Sequence, residues 1–369
     1  MNSLDQVHKV SLKEPFKIGP YTTEWRDWAD TVPFINEKFG NRPLLDPKKG
    51  QSYWYSWDDE ILEKTVKENT VLYLDEGSHD THFDQLFKAC SKIGEPRLIV
   101  TCPKIDSSVS SPDNVRVIHT NALAYQFSKM VKNTAPKLIF HRKVDTLEYP
   151  FMIMASNGKA NREGAQILMM LDALGVLQES LYSSSDISSD NRLYTKDSLG
   201  INNAIKDLGV RSIGKKSYDH KNPRDNILEV IEALNKCHFH VARNSNIIWD
   251  HYQHWGVDEK HLQGYATTTP VVSLWTDSQA QQMTEWGFRI NNIPSRRQDE
   301  TEQEAVSRWC REILFYTQIS KNKEWAQSWQ NLQGEDTVHN FKLLNGLHNT
   351  IYAQIERQID ELPREFQNL

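Results

Sequence analysis

The stretch Pro150–Leu177, PFMIMASNGKANREGAQILMMLDALGVL, decides the fold. Its first residues form a short apolar run of the kind that builds a strand buried on both faces. A polar segment with Gly158 follows, and then apolar residues return at helical spacing. Ile167, Leu168, Leu171 and Leu174 are read as the inward stripe of that helix. Strand, loop and helix in this order form half of a βαβ unit.

The same alternation extends to either side. Upstream, TVLYLDEG (70–77), FDQLFKACSKIG (83–94), RLIVTCP (97–103) and NVRVIHT (114–120) read as strand, helix, strand and strand. Downstream, ESLYSSSD (179–186), CHFHVARNS (237–245) and PVVSLW (270–275) resume the strand series. Beyond Asp299 the pattern is helical, in EQEAVSRWCREILFYTQI, NKEWAQSWQNL and TVHNFKLLNGLHNTIYAQIERQI. The expected organisation is an aromatic-rich irregular lead-in over 1–65, a Rossmann-like domain over 66–149, a second over 150–300, and closing helices over 301–369. The fold class is α/β. Ligands of such sheets bind at the carboxyl ends of the strands, so the strand-to-helix loops carry the functional candidates.

Composition narrows the function. With 43 Lys and Arg against 49 Asp and Glu, the formal charge of -6 gives no overall basic field for nucleic acid. No apolar run approaches the ~18–20 residues of a membrane span, and the first residues lack a secretory h-region. A cytoplasmic location is expected. Cys90, Cys102, Cys237 and Cys310 have no CxxC spacing and read as buried thiols rather than as disulfides or a zinc knuckle.

Two loops place cations at helix starts, where the helix dipole disfavours them by about 0.3–1 kcal/mol unless an anion is present. Lys159 and Arg162 open the helix of SNGKANREG, and Lys260 stands in the first turn of VDEKHLQG. Backbone amides plus a cation suit phosphate, and two such loops suit a diphosphate. Glu259, beside Lys260, is of the type that accepts hydrogen bonds from ribose hydroxyls. The plainer alternative is a solvated surface in which Asp258 and Glu259 compensate Lys260.

Phe239–Ser245 (FHVARNS), Val257–Lys260 (VDEK) and the PVV from Pro270 resemble the donor-binding motif of family 10 fucosyltransferases and related GT-B glycosyltransferases. SNGKANREGAQILMMLDALGVL is similar to the asparagine- and arginine-bearing loop and helix of the same domain. Arg243 stands where that family has glutamate, and the spacing from Asn244 to Glu259 is longer. The resemblance implies a GT-B architecture, two Rossmann-like domains facing a cleft with C-terminal helices packing across. It also implies transfer of a sugar from a GDP- or UDP-linked donor. Arg162 and Lys260 would bind the donor diphosphate, with Arg243 as a further phosphate contact, and Asn157 and Lys159 belong to the same cofactor-binding set. Glu259 would take the ribose, and Asn244 and Ser245 would lie beside the donor. No Asp-x-Asp triplet occurs in the chain, so no metal is expected.

An inverting transfer needs a base for the acceptor hydroxyl. In YLDEGSHDTHFD (73–84), Glu76 is the first choice, with Asp75 and Asp80 behind it, His79 nearby, and His119 a candidate at a later strand end. The same cluster also reads as a helix N-cap built on Ser78 and Asp80. A saccharide acceptor is expected first. Hydroxymethylated DNA bases come second, with the basic loop Lys215–Arg224 (KKSYDHKNPR) as the contact. A non-catalytic carbohydrate-binding protein of GT-B type is a third reading. His82 and Asp84 form the H-x-D pair of a non-haem iron oxygenase, a fourth reading that requires a jelly roll. His238 and His240 share one face of a strand, as buried structural residues or as part of a metal site.

Overall fold

Short apolar runs form most of the described strands, and all the described strand pairs are parallel. The computed structural model describes residues 44–45, 59–74, 80–101, 110–134, 143–155, 162–184, 230–231, 233–243, 257, 259–294, 297, 299–367 and 369. Among these the chain builds two parallel sheets, one of four strands and one of five. That is the α/β, Rossmann-like class expected. The chain divides into two units. Met1–Lys129 with His254–Asp258 and Gly346–Leu369 make one; Met130–Gln253 with Glu259–Asn345 make the other.

The first unit carries β1 (Leu44–Leu45), α1 (Asp59–Glu68), β2 (Val71–Leu74), α2 (Asp80–Ile93), β3 (Arg97–Thr101) and β4 (Val115–His119), and α3 (Ala122–Thr134) follows, its residues from Met130 counted with the second unit. Its strands lie in chain order β1-β2-β3-β4. Leu62 and Val66 of α1 and Phe83, Leu86, Phe87 and Cys90 of α2 pack on Leu72, Ile99 and Val115. The stretch read as an irregular lead-in thus contains β1 and the first residues of α1. Arg97 is buried at the start of β3. Its Nε donates to the Val66 carbonyl at 2.8 Å and Nη1 to the Pro96 carbonyl at 2.8 Å, so backbone acceptors satisfy the buried cation.

The second unit carries β5 (Tyr149–Ala155), α4 (Arg162–Ala173), β6 (Leu181–Ser184), β7 (Cys237–Arg243), α5 (Glu259–Gln263), β8 (Val271–Leu274), α6 (Asp277–Glu285), β9 (Asn291–Asn292) and α7 (Glu302–Lys321). Its strand order is β6-β5-β7-β8-β9. Phe151, Ile153, Phe239, Val241, Val272 and Leu274 cluster with Ile167, Leu168 and Leu171 of α4 and with Val306, Trp309, Cys310 and Ile313 of α7. Alternation puts His238 and His240 on the opposite side of β7 from Phe239 and Val241. Thr301 and Glu304 form a reciprocal capping box that starts α7.

The inward stripe of α4 is shorter than expected. Leu174 is 40% exposed, whereas Ile167, Leu168 and Leu171 are buried. The helix ends at Ala173, and the Gly175 and Val176 amides bond back to Asp172 and Leu171 around a left-handed glycine at φ +71°. Leu174 is therefore a C-cap residue at a turn rather than a core residue. Cys90, Cys237 and Cys310 are buried thiols, as expected; Cys102 lies outside the described residues.

The C-terminal helices differ from the expectation of several pieces. α8 runs unbroken from Lys323–Asp360, and α9 (Arg364–Gln367) follows. Gly334 and Gly346 lie inside α8, but a helical glycine costs only about 1 kcal/mol against alanine. The buried Trp329, Phe341, Leu344, Leu347, Ile351 and Ile355 outweigh that. Residues of α8 up to Asn345 belong to the second unit and those from Gly346 to the first. No described helix is long and apolar enough to cross a membrane.

Candidate functional site

From β5 the chain passes through α4 to β6 on one side of the sheet, then returns to β7 on the other side of β5. The carboxyl ends of β5 and β7 therefore flank a topological switch point, where diverging connections leave a crevice for ligands. The pairings Ala155↔Ser184, Ile153↔Val241 and Arg243↔Leu274 bring the four strand ends to one level. The first sheet runs in chain order and has no such reversal among its described strands.

Arg243 is the last residue of β7 and is only 4% exposed. By strand alternation its side chain follows Phe239 and Val241 toward α4. Its guanidinium lies against Gly164, in the first turn of that helix. A Cβ built on Gly164 would stand 2.5 Å from Arg243 Nη1 and 3.0 Å from Cζ and Nη2. A cation thus sits beside the amide end of a 12-residue helix. Both the guanidinium and the helix end favour an anion in their company.

Arg162 is the first residue of α4, as expected from the sequence. Asn157 and Lys159 fall in 156–161, directly after β5, and Asn244 and Ser245 directly follow β7; all four lie outside the described residues. Glu259 and Lys260 open α5, with side chains outside the described set. Asp75, Glu76, Ser78 and His79 lie outside it as well, in the segment after β2. Asp80 and His82 are described only as backbone in α2. The loop Lys215–Arg224 is also outside.

The threonines after α5 are structural. The Thr267 hydroxyl lies 2.7 Å from Thr269 Oγ1 and 3.2 Å from the Gly264 carbonyl, and Thr269 Oγ1 donates to the Leu234 carbonyl at 3.0 Å. Thr267 and Thr269 are buried, and these bonds fasten the entry to β8. His240, under the same segment, is 2% exposed, and burial pushes its imidazole down to about 3, so it is neutral. No group of three or more His, Cys, Asp and Glu arranged to hold a metal occurs among the described residues. His238 and His240 are both buried on β7. His119 ends β4 with its backbone amide and carbonyl both bonded to the Gln358 side chain.

The iron-oxygenase reading of His82 and Asp84 is corrected by the fold. The pair lies on a helix of a parallel α/β unit, not on the antiparallel strands of a jelly roll. Gly164 was not singled out from the sequence. Its signal was a glycine in the first turn of an otherwise strongly apolar helix.

No protein-family model matches the chain, and no curated protein does. Among solved structures it is similar to the pneumococcal O-GlcNAc transferase GtfA in complex with UDP and GlcNAc, with a TM-score of 0.36 and 11% identity over 82% of this chain and 60% of that one. It is also similar to a GtfA/B complex, with a TM-score of 0.37 and 12% identity over 84% and 61% of the two chains. The chain spans about three-fifths of the length of these structures. Similarity of that degree assigns no activity to it.

Proposed function

We propose that the chain is a glycosyltransferase of GT-B type, moving a sugar from a nucleotide-diphosphate donor to an acceptor hydroxyl with inversion and without a metal. The observation that carries this reading is Arg243 at the switch-point crevice, its guanidinium against the first turn of α4. A departing nucleotide diphosphate develops negative charge, and a fixed guanidinium with helix amides stabilises it as a metal ion would. Asn157, Lys159 and Arg162 on one side and Arg243, Asn244 and Ser245 on the other belong to the two connections that leave the switch point. Lys260 would add a second cation and Glu259 a ribose contact. In this reading Glu76, with Asp75 and Asp80 as alternatives, takes the acceptor proton. The acceptor is a saccharide, and hydroxymethylated DNA is the second choice.

A thermal-shift panel of GDP, UDP and other nucleotide diphosphates, in the presence of EDTA, tests the donor half. A rise in melting temperature with one diphosphate and none with its nucleoside is the expected result. A flat panel sinks the reading. Sugar binding with a flat nucleotide panel favours the non-catalytic carbohydrate-binding alternative, and salt-sensitive binding of duplex DNA with transfer to hydroxymethylcytosine favours the DNA acceptor.

A further inference from the structure

A glycine in the first turn of α4 is less favourable than alanine on helix propensity. Gly164 is nevertheless buried there, and the space a Cβ would take is filled by the end of the Arg243 side chain. An approach of 2.5 Å to Nη1 is closer than a real Cβ tolerates, while the group met is the far end of a flexible chain. Alanine at 164 would leave α4 intact and move the guanidinium.

We infer that Gly164 is a positioning residue for anion binding at this crevice. Its bare Cα lets the Arg243 guanidinium lie against the first turn of α4, so that guanidinium and helix amides address the same phosphate oxygens. The inference rests on the donor reading above for the nucleotide, and on the geometry alone for the anion. It explains how an arginine on β7 serves a helix that follows β5: the two strands are neighbours across the switch point, and Arg243 lies on the α4 face of the sheet. The chemical class addressed is a pyrophosphate group, free or in a nucleotide.

The test is a double-mutant cycle on the full chain, with Gly164→Ala, Arg243→Ala and both together. Calorimetry with GDP, UDP and inorganic pyrophosphate measures binding, and thermal melting measures stability. Gly164→Ala is expected to weaken binding about 5- to 10-fold while the melting temperature holds or rises, since alanine is the better helix former. In the Arg243→Ala background, where the steric conflict is gone, Gly164→Ala should leave the remaining affinity unchanged. Equal affinity of wild type and Gly164→Ala, or the same loss with and without Arg243, overturns the inference and leaves the donor reading standing. Binding of pyrophosphate but of neither nucleotide, with the cycle coupled as expected, keeps the inference and removes the donor reading. Binding of none of the three by the wild type removes both.

Discussion

Gln358 pairs with His119 as a neighbouring strand would. Its Oε1 accepts from the His119 amide at 2.9 Å, and its Nε2 donates to the His119 carbonyl at 3.0 Å. Among the described strands β4 is the last of its sheet, and helix α8 supplies one rung of a ladder along that side. Asn340 of the same helix treats Arg289 likewise in the second unit, accepting from its amide at 2.8 Å and donating to its carbonyl at 2.7 Å.

Gln358→Leu should therefore destabilise the protein by about 1–3 kcal/mol, because it strands one partly buried donor and one acceptor. Urea denaturation measures this. A midpoint identical to that of the wild type would mean that solvent replaces the amide at no cost.

Acid should weaken the protein through His240. Its folded value, about 3, lies below its ordinary 6.5 because burial disfavours the imidazolium. The unfolded chain binds the extra proton, so stability is full above pH 6.5 and declines as pH falls toward 3. The slope for one such group is up to about 1.4 kcal/mol per pH unit. His240→Asn should flatten the stability profile between pH 6.5 and 4.5, measured by denaturant melts at each pH. An unchanged slope contradicts the buried neutral imidazole.

A second acid step should come from Glu300. Arg308 donates to it through Nε at 2.8 Å and Nη2 at 2.6 Å, and this holds the carboxyl down to about 2 from the ordinary 4.5. Stability from this pair is present above pH 4.5 and is lost as pH falls through about 2. Glu300→Gln should cost about 1–2 kcal/mol at pH 7, since the pair is not wholly dry, and should lose that cost near pH 2. Equal deficits at both pH values would refute the assignment.

Lys260→Ala should weaken nucleotide-diphosphate binding by about 1.5–3 kcal/mol, the worth of one charged phosphate contact, and should leave nucleoside binding unaffected. Calorimetry with a diphosphate and its nucleoside separates the two. Equal losses for both ligands would place Lys260 away from the phosphates.

The parallel α/β class was legible because its determinants are local. RLIVT in β3 and VVSL in β8 are buried at every position, and a continuous branched run is what a strand covered on both faces requires. Thr301 and Glu304 announce the start of α7 three residues apart. Strand alternation likewise puts Phe239, Val241 and Arg243 on one face of β7 from sequence alone. Lys159, Arg162 and Lys260 were singled out locally too, as cations at helix starts, whereas Asn157, Arg243, Asn244 and Ser245 were singled out only by the motif resemblance.

What stands opposite those residues was decided only by the tertiary structure. The return of β7 across β5 creates the switch point, and it brings Arg243 over Gly164 of the helix that precedes β6. The unbroken course of α8 through Gly334 and Gly346 and the pairing of Gln358 with His119, 239 residues apart, also depend on what each element meets. Helix and strand periods and caps are written over spacings of two to four residues. Strand order, a side chain filling the place of a missing Cβ, and an amide completing a distant edge are set by burial between elements, which no local spacing encodes.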